Sequence, residues 1–307
     1  MSAAAQIYTP FETPYRMTMG LMALQTAEWL EIDDALGDDL REKQRLFRER
    51  HDQVFVELPD SRPAQQELLD LLVEHLLRHH GDRYERVGNA LRIAALGEEV
   101  ALSGPEMAPL ERAARLVQED LCLMEPAAGS WRLSAGAVCF PTRWDLGSKL
   151  GQALDRIHDP VPGFRERLAR PVGRFFDHLK VARPVWRLNW SLMDDPALFQ
   201  PGGHGRKTAN PALDGGNAGE AIWLRVERQT LRRLPESGAI VFTIRIHRWP
   251  LRVLADRPEA ARRLRQAIDT MPEALQQYKS VPVLGAAVRD YLDGIAPPDD
   301  RDGDSLR

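Results

Sequence analysis

The sequence predicts an α+β fold built on an antiparallel five-stranded sheet, and three observations carry that prediction. Apolar residues recur at helical spacing through the first third of the chain. From about residue 120 the period changes from helical to two. The candidates then run strand, strand, helices, strand, long loop, strand, strand, an order that an antiparallel sheet with helices on one face and a helical N-terminal region alongside satisfies.

Taken in chain order, Leu68, Leu69, Leu72, Val73, Leu76 and Leu77 form an amphipathic stripe behind Ser61-Arg62-Pro63 that stops at Gly81. Residues 109–122 carry a second stripe, and 87–102 between them read as a small hairpin. Leu121 to Met124 and Trp131 to Phe140 flank the turn Pro126-Ala127-Ala128-Gly129. A helix is expected from Asp145 as N-cap, with Leu146, Leu150, Leu154 and His158 at four-residue intervals before Asp159-Pro160 ends it. Residues 163–179 give another helix. Strands are expected over 185–192, 222–231 and 239–247, the last two joined by Pro235-Glu236-Ser237-Gly238. Residues 194–221, rich in Gly, Pro and Asn, are too long for an idle connection and read as a lid or an insertion. The chain thus divides into a mainly helical region 1–115, a sheet domain 116–255, C-terminal helices 256–296 and a disordered charged tail 297–307. The order of elements in the second region is that of a PAS domain, a fold whose sheet and mid-domain helices enclose a ligand.

Composition narrows the function. At 307 residues, with 43% hydrophobic and 28% charged side chains, the chain is ordinary globular protein. Its 41 basic and 45 acidic residues leave a net charge of −4, which provides no overall field for nucleic acid or an anionic membrane. Cys122 and Cys139 are too few for a disulfide framework or a protein-held iron–sulfur cluster and read as buried hydrophobes of a reducing compartment. With neither a signal peptide nor an 18-residue apolar window, the expected location is cytoplasmic. Gly202-Gly203-His204-Gly205-Arg206-Lys207-Thr208 evokes a phosphate loop, but Arg206 replaces the required glycine. A dinucleotide fingerprint is missing too, so reducing equivalents must come from another chain.

His158 continues the stripe of Leu150 and Leu154 and should point inward, either as a neutral core histidine or as a metal ligand. His178, His204 and His247 are competing ligands, whereas His75 and His79 lack the glutamate of a zinc-peptidase helix. Period two puts Arg187, Asn189 and Ser191 on one face of the first late strand, opposite Trp186, Leu188, Trp190 and Leu192. The next strand separates Arg225, Glu227 and Gln229 from Leu224 and Val226, and the last separates Thr243, Arg245 and His247 from Ile244 and Ile246. Such polar stripes suit a solvent face or a pocket wall.

Several stretches resemble one family: Trp144-Asp145-Leu146, Ile157-His158-Asp159-Pro160-Val161-Pro162, Arg187-Leu188-Asn189-Trp190-Ser191 and, most specifically, Val226-Glu227-Arg228-Gln229-Thr230-Leu231-Arg232-Arg233-Leu234-Pro235. Together they resemble the haem-dependent oxidative N-demethylase alpha-subunit family, whose haem domain has a PAS fold. The resemblance implies a b-type haem with His158 as axial ligand to iron and with Arg245 and Trp190 beside it. It implies Glu227, Arg225 and Asn189 as the groups that hold a small amine and polarise dioxygen, and a separate flavin/iron–sulfur reductase as electron donor. The chemistry implied is oxidation of a C–H bond to a carbinolamine that collapses to formaldehyde and a smaller amine. The alternative on the same fold is a non-enzymatic haem or small-molecule sensor.

Overall fold

The computed structural model describes residues 6–202 and 208–296. Its strands, in chain order, are β1 Met22–Ala23, β2 Phe55–Glu57, β3 Tyr84–Val87, β4 Ala90–Ile93, β5 Glu98–Ala101, β6 Asp120–Ala127, β7 Ser130–Ala137, β8 Val185–Met193, β9 Trp223–Arg233 and β10 Ile240–Pro250. The main sheet is antiparallel throughout, in the order β1-β8-β9-β10-β6-β7-β2. The expected five strands are its middle five. The sheet nevertheless has seven, because β1 and β2, both from the N-terminal region, extend its two edges. The hairpin expected at 87–102 is a separate three-stranded sheet, β3-β4-β5.

Turn chemistry sets the pairing. Ala128 and Gly129 both have positive φ, 46° and 80°, between β6 and β7, as a two-residue turn that follows the strand twist requires. β9 and β10 then pair over their full length, from Ile240 opposite Arg233 to Pro250 opposite Trp223. Because side chains alternate, this register decides which residues are companions. Arg187 lies opposite Gln229, Asn189 opposite Glu227 and Ser191 opposite Arg225, and Glu227 in turn lies opposite Ile246. On the other face Arg228 lies opposite Arg245 and Val226 opposite His247. The polar stripe of β10 is therefore turned away from those of β8 and β9, against the expectation that all three would line one pocket.

Each face has its own cover. On the Glu227 face, Leu146, Leu154, Phe176 and Leu179 pack on Cys122, Met124, Trp131, Leu133, Leu231 and Ile240. A Cβ at Gly136 would lie 2.7 Å from Leu146 Cδ1, so glycine lets this segment seat against β7. The helix expected from Asp145 to His158 is broken. A 3₁₀ turn, Gly147–Lys149, is followed by Gly151 at φ +73° and then by the short helix Leu154–Ile157, because a left-handed residue cannot continue a right-handed helix. The next helix likewise divides into Phe164–Arg167 and Ala169–His178.

The opposite face carries two layers. The helices Pro258–Thr270 and Val281–Ile295 bury Leu264, Ile268, Leu284 and Val288 with Trp190, Leu192, Leu224 and Val226. The helices Leu36–Glu49 and Arg62–His79 share a core with Leu121, Leu123, Ala135 and Val241. Leu68, Leu69, Leu72 and Leu76 are almost completely buried there, each contributing about 1.5–3 kcal/mol of transfer free energy. Among the described residues no helix is long and apolar enough to cross a membrane. Within 194–221, Gln200 bridges to Thr142 and Ala218–Ala221 is a short helix. Residues 203–207, with His204 and the centre of the phosphate-loop look-alike, and the tail from 297 lie outside the described residues.

Candidate functional site

The Glu227 face holds a carboxylate clamped at one oxygen. Glu227, 7% exposed, accepts hydrogen bonds at Oε2 from Gln229 Nε2 (2.6 Å) and Asn189 Nδ2 (3.2 Å). Both donors are placed by strand geometry, Gln229 two residues along β9 and Asn189 directly across on β8. Oε1 has no hydrogen-bond partner among the described residues, and no Lys or Arg among them lies within ion-pair distance of this carboxylate. Two amides thus fix the group while one oxygen keeps its acceptor capacity.

Two cations act on Glu227 from further off. Arg187, next on the same face of β8, has its Nε buried without a hydrogen-bond partner among the described residues. Burial depresses its pKa and the Glu227 charge opposes that shift. Lys279 comes from the C-terminal region, where its Nζ donates to Trp190 O (2.5 Å) and Asn189 Oδ1 (3.3 Å) and lies 5.2 Å from the Trp190 ring centroid. Burial pulls the Lys279 ammonium down to about 8, again opposed by Glu227. Asn189 therefore bridges a cation and an anion, its carbonyl to Lys279 and its amide to Glu227. Lys279 escaped sequence reasoning because a lone lysine between Tyr278 and Ser280 carries no pattern.

His158 lies beneath the same face, half-buried at the end of Leu154–Ile157. Its Nδ1 is 2.8 Å from Leu154 O, and its ring stacks on Phe164 at 4.3 Å and 11°. Donation from Nδ1 to that carbonyl leaves Nε2 with a lone pair, the arrangement a metal-ligating histidine needs. Nε2 has no hydrogen-bond partner among the described residues. Burial lowers the His158 pKa, favouring the neutral ring, with Lys149 and Arg187 adding to the effect. Arg187 is thus near enough to act on both His158 and Glu227.

The other sequence candidates are placed elsewhere. Arg225 shares the Glu227 face, but its guanidinium donates to Thr142 Oγ1 (3.0 Å) and to the carbonyls of Phe140 (2.8 Å), Ala197 (3.1 Å) and Leu198 (3.0 Å). It ties the start of the long loop to the end of β7. Arg245 is on the opposite face, paired with Asp33 (2.7 Å) and Asp39 (3.2 Å). The Trp190 ring also faces away, edge-on to Phe11 at 5.4 Å. Both turn away because adjacent residues of a strand point to opposite faces, and their neighbours Asn189 and Ile246 are the ones that lie opposite Glu227. His247 pairs with Glu31 (2.7 Å) on the Arg245 face, and His178 is exposed, with Nδ1 on Arg174 O.

A cavity of about 300 Å³ opens on that opposite face, lined by Tyr8, Glu31, Asp33, Arg245, His247 and Trp249 among others. Its charged groups are paired with one another, Glu31 with Tyr8, His247 and Arg228 and Asp33 with Arg245 and Gln118, while Arg245 Nε has no hydrogen-bond partner among the described residues. On the Glu227 face, by contrast, the carboxylate itself has no ion-pair partner among the described residues. Among the described residues no three His, Cys, Asp or Glu side chains converge as a metal site. A porphyrin, which brings four nitrogens of its own, asks the protein for one axial ligand, and the neutral His158 with its bare Nε2 fits that demand.

The fold and the site define an α+β protein in which a clamped carboxylate and Arg187 share one sheet face, with His158 near Arg187 and Lys279 at the strand edge. The chain belongs to the haem-dependent oxidative N-demethylase, alpha subunit-like family, whose model matches residues 20–289. The matched stretch runs from before β1 to within the last helix, and so contains His158, Arg187, Asn189, Glu227 and Lys279.

Proposed function

We propose that this protein is the catalytic subunit of a haem-dependent oxidative N-demethylase that acts on a small amine with dioxygen and receives electrons from a separate flavin/iron–sulfur reductase. The observation that carries the reading is the open oxygen of Glu227 on the face that also bears His158 and Arg187. The middle five strands serve as a PAS-like sheet, and b-type haem is held through His158 Nε2. Bound there, the haem supplies oxygen activation.

The remaining work falls to the chain's own groups. Glu227 Oε1 accepts an N–H from the amine, a charge-assisted contact that orients the substrate. Asn189 and Gln229 hold Oε2, so the carboxylate is set before substrate arrives. Lys279 closes the edge of β8 and keeps Asn189 in the orientation that donates to Glu227. Arg187 supplies the positive charge that a carboxylate-bearing cofactor or a developing anion would meet. Arg225 positions the walls at 140–142 and 197–198 without touching substrate.

The test is direct. Purified full-length protein supplied with haem should show a Soret band and, with a secondary amine, dioxygen and a reductase, should release formaldehyde. A Soret band that shifts with ligands but never accompanies amine turnover would replace the enzyme reading with a sensor.

A further inference from the structure

The segment that packs on His158 through Phe164 is strongly basic on its exposed side. Arg165, Arg167, Arg170, Arg174, Lys180 and Arg183 are all exposed, against only Glu166 and Asp177 between residues 163 and 184. In a chain of net charge −4 this is a concentrated local excess. Of the six cations only Arg165 has a carboxylate partner among the described residues, Asp159 at 2.8 Å. The cations elsewhere on the surface are commonly neutralised by neighbours, as Arg45 is by Glu42 and Glu49 and Arg92 is by Glu85 and Glu99.

Apolar surface lies beside these charges. Met22 and Val181 are exposed large hydrophobic residues, each at 42%. Met22 is in the edge strand β1, opposite Trp186, and Val181 lies three residues before Pro184, whose carbonyl accepts from Leu24 N (3.0 Å). Exposed apolar residues next in the chain to a run of unpaired like charges suit a transient docking surface. The inner side of the same segment reaches the site through Phe164, which stacks on His158 and immediately precedes Arg165.

We propose that the outer surface of residues 163–184, together with Met22, is the docking face for an acidic electron-donor protein, which delivers electrons toward the group held by His158. The proposal rests on the reading above that reducing equivalents come from another chain. The cationic rim steers an anionic partner, and Met22 and Val181 provide the short-range apolar contact.

The probe is an acidic plant-type [2Fe–2S] ferredoxin kept reduced by NADPH and its own reductase. Two quantities are measured on the full chain: the ferredoxin dissociation constant by calorimetry, with and without haem, and the rate of anaerobic haem reduction. Reversing Arg167, Arg170, Arg174 and Arg183 to Glu should weaken docking and slow reduction by on the order of tenfold or more. Raising salt from about 0.02 to 0.3 M should do the same to wild type. The Soret band and dithionite reduction should be unchanged. Equal reversals at Arg41, Arg48, Arg78 and Arg86 control for net charge and should have a much smaller effect. Absence of ferredoxin docking, or docking indifferent to the first four reversals, overturns the proposal. So does a result in which those reversals abolish only binding to phosphatidylcholine vesicles containing about a third phosphatidylserine. Failure to take up haem while charge-dependent docking persists would instead refute the haem reading and leave the docking face standing.

Discussion

The two faces of the sheet carry similar polar side chains and treat them in opposite ways. On the Arg245 face the charges are ion-paired, Arg245 with Asp33 and Asp39, Arg228 and His247 with Glu31, although Arg245 Nε, like Arg187 Nε, is buried without a hydrogen-bond partner among the described residues. Their acidic partners come from the N-terminal region, so this network fastens that region to the sheet. On the Glu227 face, among the described residues, Glu227 Oε1, Arg187 Nε and His158 Nε2 have no hydrogen-bond partner. Burying polar groups without full compensation costs free energy. The ion-paired face fastens the fold, whereas the Glu227 carboxylate has no ion-pair partner among the described residues.

That contrast predicts opposite consequences for substitutions on the two sides. His158→Ala should give the largest effect, with nearly complete loss of bound haem in the absorption spectrum and a melting temperature lowered by only a few degrees. Glu227→Gln keeps size and shape and should preserve haem and stability while lowering kcat/KM for the amine on the order of a hundredfold. Undiminished formaldehyde release by that variant would remove Glu227 from the mechanism. Arg245→Met should do the reverse, costing about 3 kcal/mol in denaturant unfolding because Asp39 is left buried and unpaired, with haem spectra intact in the folded fraction. A functional loss at unchanged stability in Arg245→Met would erase the distinction between the faces.

The smallest effect concerns Lys279, at the seam between the faces. Burial holds its pKa near about 8, below the ~10.4 of a free lysine. Between those values the unfolded chain binds the extra proton, so this group makes stability rise with pH across roughly 8 to 10. After allowance for solvent at this half-buried position, the rise should be at most about 1 kcal/mol. It should vanish in Lys279→Gln, measured as the difference in urea midpoints between pH 8 and pH 10.

Much of this arrangement was readable in the residues themselves, and the gaps have physical causes. Alternation along β8 and β9 correctly grouped Arg187, Asn189, Glu227 and Gln229. Alternation sorts residues within a strand but says nothing of register between strands, which is why Arg245 and His247 were expected on the wrong side. The four-residue spacing from Leu146 to His158 looked like one helix, yet Gly151 at φ +73° interrupts it. His158 is still partly buried, its ring stacked on Phe164 and its Nδ1 on Leu154 O. The edge strands of two and three residues are too short to show any period, and Lys279 reaches Asn189 from 90 residues away.

The placement of β1 and β2 at opposite edges has a consequence for synthesis. Both strands leave the ribosome early, but β1 must wait roughly 160 residues for its partner β8, and β2 roughly 80 for β7, so neither can pair locally. Until β10 emerges to join β9 to β6, the nascent sheet is two separate hairpin halves with open borders. Exposed strand borders recruit other chains, which makes the interval between translation of β6 and of β10 the period in which a chaperone matters most to this protein.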